Sequence, residues 1–182
     1  HGAVVEVPLS NLSGKKVLEI GSGAGGHSAL FARHGAIVTS VDLTIERVKS
    51  TGIKFQLMGD RAKECLAFQC DAENLSFSKD TFDLVYSNGV LHHTVDTQRA
   101  IDEVYRVLKP GGQAVIMLYC KSSWHYWLNM FLPIGILQGK ALHRNWLGRA
   151  TEWGGKQKQT VINPITRCYT SSELQRMFSA FK

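Results

Sequence analysis

The stretch Val17-Leu18-Glu19-Ile20-Gly21-Ser22-Gly23-Ala24-Gly25-Gly26 decides how this chain is read. Its first four residues are apolar around one acid and read as a buried strand, and the glycines that follow make a tight turn. Ser28-Ala29-Leu30-Phe31 continue as a helix that ends near His34-Gly35, where glycine can take the left-handed conformation of a helix stop. Strand, glycine turn and helix in that order let a ligand approach the backbone closely.

Outward from this stretch the same rhythm repeats. Ala36-Ile37-Val38-Thr39-Ser40-Val41 is a β-branched run closed by Asp42. Thr44 is placed to cap a helix with Ile45, Val48 and Ile53 on its inner face. Leu66 to Cys70 is a third strand closed by Asp71, and Phe82 to Tyr86 a fourth. Asp96 caps a helix whose Ala100, Ile101, Val104, Val107 and Leu108 fall at helical spacing, and Pro110-Gly111-Gly112 stops it. Gln113 to Tyr119 is a fifth strand, and Thr170-Ser171-Ser172-Glu173 is a capping box opening a last helix. Alternating strands and helices predict a three-layer α/β/α sandwich around a doubly wound, mostly parallel, Rossmann-like sheet. Ligands of such sheets lie beyond the carboxyl ends of the strands, where Glu19, Gly21, Asp42, Asp71 and Asn88 all fall.

At 182 residues, 44% hydrophobic and 20% charged, the expectation is one domain spanning 1–182. Cys65, Cys70, Cys120 and Cys168 form no C-x-x-C pair, and the histidines and acids show no ligand spacing, so reduced thiols, a cytoplasmic setting and no metal are expected. No charged leader precedes an apolar core at the start, and no secretory signal is expected. Charge is uneven: residues 1–120 carry 12 Lys/Arg against 13 Asp/Glu, whereas residues 121–182 carry 9 against 2. That basic third suits an anionic substrate, a nucleic acid or a membrane surface as well as a plain solvated face. Residues 121–168 also hold Trp124, Tyr126, Trp127, Met130, Phe131 and Leu132, an apolar aromatic run too short for a membrane span. It reads either as a helix packed on the sheet or as a lid over an acceptor pocket, with Lys140, Arg144, Arg149, Lys156 and Lys158 as its basic flank.

Gly21-x-Gly23-x-x-Gly26, with Asp42 21 residues after Gly21, satisfies the letters of a dinucleotide fingerprint. Glu19 shifts that reading, because an acid just before the glycines suits a cationic ligand rather than a pyrophosphate. S-adenosylmethionine (SAM) is such a ligand, with an ammonium and a sulfonium. The pattern E-x-G-x-G-x-G over 19–25 then resembles motif I of the class I SAM-dependent methyltransferases. Cys70-Asp71-Ala72-Glu73-Asn74-Leu75-Ser76-Phe77 is similar to their D-A-x-x-L-P-F segment, with Ser76 in place of proline. Phe82 to His93 resembles the fourth-strand motif of the type 11 methyltransferases, and Arg106-Val107-Leu108-Lys109-Pro110-Gly111-Gly112 their signature before strand five.

The resemblance implies roles. Gly21, Ser22, Gly23 and Gly25 would line the methionine part of SAM, with Glu19 beneath its amino group. Asp42 would accept the ribose hydroxyls, Leu43 would lie on the adenine, Asp71 and Ala72 would meet the adenine edge, and Asn88 would sit near the transferring methyl. His93, or His92, is the candidate base; His27 reads as a loop contact, while His125 and Tyr126 would reach the acceptor from a lid. The implied reaction methylates a small O, N or C nucleophile, apolar and with an anionic group, and leaves S-adenosylhomocysteine. The rival readings are a non-catalytic SAM-binding subunit, an RNA methyltransferase and, last, an NAD-dependent oxidoreductase. Ser87-Asn88-Gly89-Val90 lacks the N-P-P-Y pattern of base-amine methylation. The final antiparallel hairpin usual in the class is not found after Phe181-Lys182, so a bare edge on strand five is expected to risk homodimerisation.

Overall fold

The computed structural model describes residues 7–123, 126–137, 139, 142 and 165–181. Five parallel strands form one sheet in the order β3-β2-β1-β4-β5. They are β1 (Lys16–Ile20), β2 (Ile37–Asp42), β3 (Leu66–Gln69), β4 (Phe82–Asn88) and β5 (Leu108–Met117). The helices are α1 (Gly26–Arg33), α2 (Ile45–Met58), α3 (Thr97–Val107) and α4 (Ser171–Met177), with a π-helical segment over Tyr126–Ile136. The α/β/α reading is therefore correct.

Strand alternation divides the core in two. Val17, Val38, Leu84 and Tyr86 face one way and pack with Phe31 of α1 and Phe55 of α2. Leu18, Ile20, Val41 and Val85 face the other way, against Ala100, Ile101, Val104 and Val107 of α3, with Met177 and Phe178 of α4 at the margin. Register between β4 and β5 shifts around Phe82 and Leu84, and Phe82 joins the second layer while Leu84 stays in the first. Two of the three predicted caps form: Asp96 accepts the Arg99 N–H at 3.1 Å, and Thr170 and Glu173 make the reciprocal pair of a capping box.

Three local expectations are corrected. Ile45 and Ile53 are exposed; the inner face of α2 is Val48, Thr51 and Phe55, which share a side at three- and four-residue spacing. Thr44 occupies the cap position without a side-chain hydrogen bond, and its own N–H donates to Asp42 at 2.9 Å. Leu108 belongs to β5 rather than α3. It pairs with Phe82, and the strand resumes pairing at Gln113 after the Pro-Gly-Gly turn.

Arg106 joins two of the sequence motifs. Its guanidinium donates to the carbonyls of Leu75 and Phe77 at 2.8 and 2.6 Å and to both oxygens of Glu103 at 2.7 Å. Glu103 in turn accepts the Leu75 N–H at 2.8 Å. Arg106 holds the Glu103 carboxyl below the ordinary glutamate range, against the opposing effect of burial. The segment after β3 is thereby fixed to α3.

Among the described residues β5 has a strand partner along its length only on the β4 side, and a cleft of about 550 Å³ lies between it and Leu174, Phe178 and Phe181. No helix among the described residues is long and apolar enough to cross a membrane. Arg106→Met leaves two carbonyls without their charged donor and is expected to cost about 2–3 kcal/mol, read as a lower urea midpoint at unchanged slope.

Candidate functional site

Alternation along β1 turns Val17 and Glu19 toward α1, and parallel register sets Glu19 between Ser40 of β2 and Tyr86 of β4. Glu19 is 1% exposed. One carboxylate oxygen accepts from the Ser28 hydroxyl, which also meets Ser40 Oγ. The other lies 3.4 Å from His27 Nδ1. An acid this deep is tolerated because Ser28 and His27 of α1 meet it, with Ser28 held in turn by Ser40 of β2.

The glycine turn is tied to the end of β2. The Gly21 and Ser22 N–H groups both donate to the Val41 carbonyl, at 2.8 and 3.3 Å, and the Gly23 N–H donates to Asp42 Oδ2 at 3.1 Å. Gly21 has φ of 81°, and a Cβ there would stand 2.1 Å from Val90 Cγ2, so the loop after β4 packs directly on it. Around Gly23 the reverse holds: a Cβ would meet nothing within 4 Å. The amides of Gly21, Ser22 and Gly23 are engaged by the end of β2 and that of Gly25 by the Ser22 carbonyl, so these residues offer a ligand close approach rather than free donors.

Asp42 is 5% exposed and spans the turn and α2 through Gly23 and Thr44, with Arg47 Nη1 4.0 Å away. Leu43 beside it is 68% exposed. The end of β3 is attached here as well, since the Cys70 N–H donates to the Asp42 carbonyl at 3.2 Å and Gln69 Nε2 to the Leu43 carbonyl at 2.7 Å. Asp71 is exposed and turns onto the Glu73 N–H, while Ala72 is buried. Asn88, exposed at the end of β4, donates to the Tyr86 hydroxyl at 3.0 Å. Tyr86 packs edge-on against His27 at 5.1 Å, so Glu19, His27, Tyr86 and Asn88 form one chain of contacts. Open space at Gly23, an exposed apolar residue and three acids on adjacent strand ends fit a ligand with cationic, hydroxylated and flat apolar parts.

The two histidines after β4 differ. His92 is fully buried, neither ring nitrogen has a hydrogen-bond partner among the described residues, and the ring lies tilted against Tyr119 at 4.0 Å. Burial and the neighbouring His93 push it down to about 3, so it stays neutral at physiological pH. His93 is half-buried, with Nδ1 2.9 Å from the Ile165 carbonyl and 3.2 Å from the Thr166 hydroxyl. A carbonyl can only accept, so Nδ1 carries the proton and Nε2 the lone pair.

Residues 165–170 return beside the end of β5: the Tyr169 N–H donates to the Tyr119 carbonyl at 3.0 Å and the Arg167 N–H to the His92 carbonyl at 3.0 Å. Burial raises both Tyr119 and Cys168, the latter to about 11, and keeps them protonated. His125 and the basic flank from Lys140 to Lys158 lie outside the described residues. Tyr126 packs with Trp127 and Phe131 in the π-helical segment. Sequence reasoning missed Ser28, Ser40 and Tyr86 around Glu19 and the strap at 165–166 on His93. Strand register and a return across some 70 residues leave no local pattern.

The unfolded chain protonates His92 near pH 6.5, whereas the folded chain refuses the proton until about pH 3. Stability is therefore expected to fall as pH drops from about 6.5 toward 3. His92→Phe keeps a ring against Tyr119 without the buried nitrogens. It is expected to be at least as stable near pH 7 and to lose that slope, read from denaturant midpoints across the range.

A family model described as a methyltransferase domain matches residues 18–116, more than half of the chain. The chain is 36% identical over 108 residues to a demethylmenaquinone methyltransferase of Clavibacter sepedonicus, covering 59% of this chain and 42% of that protein. It is 37% identical over 106 residues to a ubiquinone biosynthesis O-methyltransferase of Coxiella burnetii, again covering 42% of the relative and 56% of this chain. Among solved structures, the YcgJ protein of Bacillus subtilis superposes with a TM-score of 0.67 at 27% identity, over 94% of this chain and 63% of that one. The chain thus spans less than half the length of these two curated relatives. With its five-stranded sheet, acid-preceded glycine turn and matched domain, the chain belongs to the class I SAM-dependent methyltransferases of the type 11 kind.

Proposed function

We propose that this chain transfers the methyl group of SAM to an apolar small-molecule acceptor, with His93 taking the acceptor's proton. The observation that carries the reading is the meeting of Glu19, Gly23, Asp42, Asp71 and Asn88 at the carboxyl ends of four adjacent strands. In this reading Glu19 holds the ammonium, Asp42 the ribose hydroxyls, Leu43 an adenine face, Asp71 the adenine amino group with the Ala72 backbone beside it, and Asn88 the methionine near the methyl. Gly21, Ser22, Gly23 and Gly25 shape the floor.

SAM brings an electrophilic methyl on a sulfonium whose leaving thioether departs neutral. No acid is needed for that departure, so the chain's work is alignment and proton removal. His92, Tyr119 and Cys168 are poor bases for reasons of burial, which leaves His93 Nε2 to accept a hydroxyl proton while the Ile165 carbonyl fixes its tautomer. Support for a quinone-related acceptor comes from the names of the two curated relatives and from the apolar segment around Trp127 and Leu132. We take residues 1–182 as one domain in which 121–168 form a lid over the acceptor, working in the cytoplasm with its four cysteines as free thiols. A homodimer through the open edge of β5 fits the same reading.

Asp42→Ala removes a charged acceptor and is expected to weaken SAM binding by about 10- to 100-fold in a titration. His93→Ala is expected to lower kcat on a hydroquinone acceptor about 100-fold or more, with SAM affinity unchanged. Tight SAM binding with no transfer to any quinol or phenol would replace the catalytic reading by a SAM-binding regulatory one.

A further inference from the structure

The geometry assigns to His27 the place of resident counter-ion to Glu19, which the cofactor's ammonium must take over, so that binding expels a proton. This inference rests on the reading that Glu19 holds the ammonium.

Glu19 has little room for a second cation. It is 1% exposed, and one of its oxygens is occupied by Ser28, which is itself held by Ser40. The remaining oxygen, Oε1, faces His27 Nδ1 at 3.4 Å. His27 retains 29% of its side-chain exposure where Glu19 retains 2%, so of the pair it is the imidazole that reaches solvent. The ring is held on its other sides by Tyr86 of β4, edge-on at 5.1 Å, and by Phe31 of its own helix, stacked at 6.4 Å. From α2, Lys54 reaches the neighbouring turn at the Ala24 carbonyl, adding positive charge nearby. A protonated His27 neutralises Glu19 in the free protein. An ammonium arriving at Oε1 then places two like charges within one contact distance beside a single buried carboxylate, in a setting where water screens poorly. Proton loss from His27 removes that repulsion. Histidine is the side chain that can make this exchange near neutral pH, and a lysine in its place would not. The proton leaves to solvent, through the exposed side of the ring, and no bond is made or broken elsewhere.

The test is calorimetric titration with S-adenosylhomocysteine in buffers of different ionisation enthalpy, from about pH 5.5 to about pH 7.5, where the ligand's α-amino group stays largely charged. The expected result is release of up to one proton per ligand bound and an affinity about tenfold weaker at the acid end. His27→Gln, at a half-exposed position, is expected to bind with no proton release and a flat pH profile. Binding by the wild type without proton release overturns the assignment, as does release that persists in His27→Gln. An analogue carrying hydrogen in place of the amino group separates the two levels of the argument. If it binds the wild type as tightly as S-adenosylhomocysteine, Glu19 does not hold the ammonium and the underlying reading fails. If it binds far more weakly yet proton release is absent for both ligands, only the role of His27 fails.

Discussion

The Val41 carbonyl, accepting from Gly21 and Ser22 together, is the contact on which the rest of the site depends. It fastens the turn after β1 onto the end of β2, and Asp42 extends the attachment by taking the Gly23 and Thr44 N–H groups. Because the strands are parallel and β1 is central, the turn it fastens lies beside the gap between β1 and β4, where crossovers leave in opposite directions and open a crevice. The third strand end is drawn in through Cys70 and Gln69, and the loop after β4 closes on Gly21 through Val90. A side chain at position 21 would force β4's loop away and separate Asn88 from the rest.

Charge in the crevice is arranged in depth. Glu19 lies below, buried and contacted by Ser28 and His27, with Ser40 behind Ser28, whereas Asp71 is exposed at the rim. Asp42 is intermediate in role: its carboxylate already holds two backbone donors and an approach from Arg47. Carboxylate oxygens accept more than one hydrogen bond each, so ribose hydroxyls add to these partners instead of displacing them. Glu19 differs because its Oε1 faces His27, a group that can itself be cationic, and two cations at one carboxylate compete.

The acceptor side is built by a long return of the chain. Residues 165–170 come back to the end of β5 and lay the Ile165 carbonyl on His93 and the Arg167 N–H on the His92 carbonyl. Adjacent histidines are thereby given opposite fates. One is sealed among aromatic rings and kept neutral; the other is half-exposed, with its tautomer set by a backbone oxygen.

By itself the sequence determined the alternation of strands and helices, the glycine turn, the acids at the strand ends and the helix caps at Asp96 and Thr170. These are local matters of periodicity and turn chemistry, and four motifs in order carried the cofactor class. It misplaced Ile45 and Ile53 because propensity reads apolar residues as inward, while the inner face of α2 is set by which side meets β2 and α1. Only the tertiary structure decided that Ser40 and Tyr86 flank Glu19, that Arg106 binds the segment after β3, and that Ile165 orients His93. Register and long-range return depend on how whole elements pack, and no window of neighbouring residues contains that information.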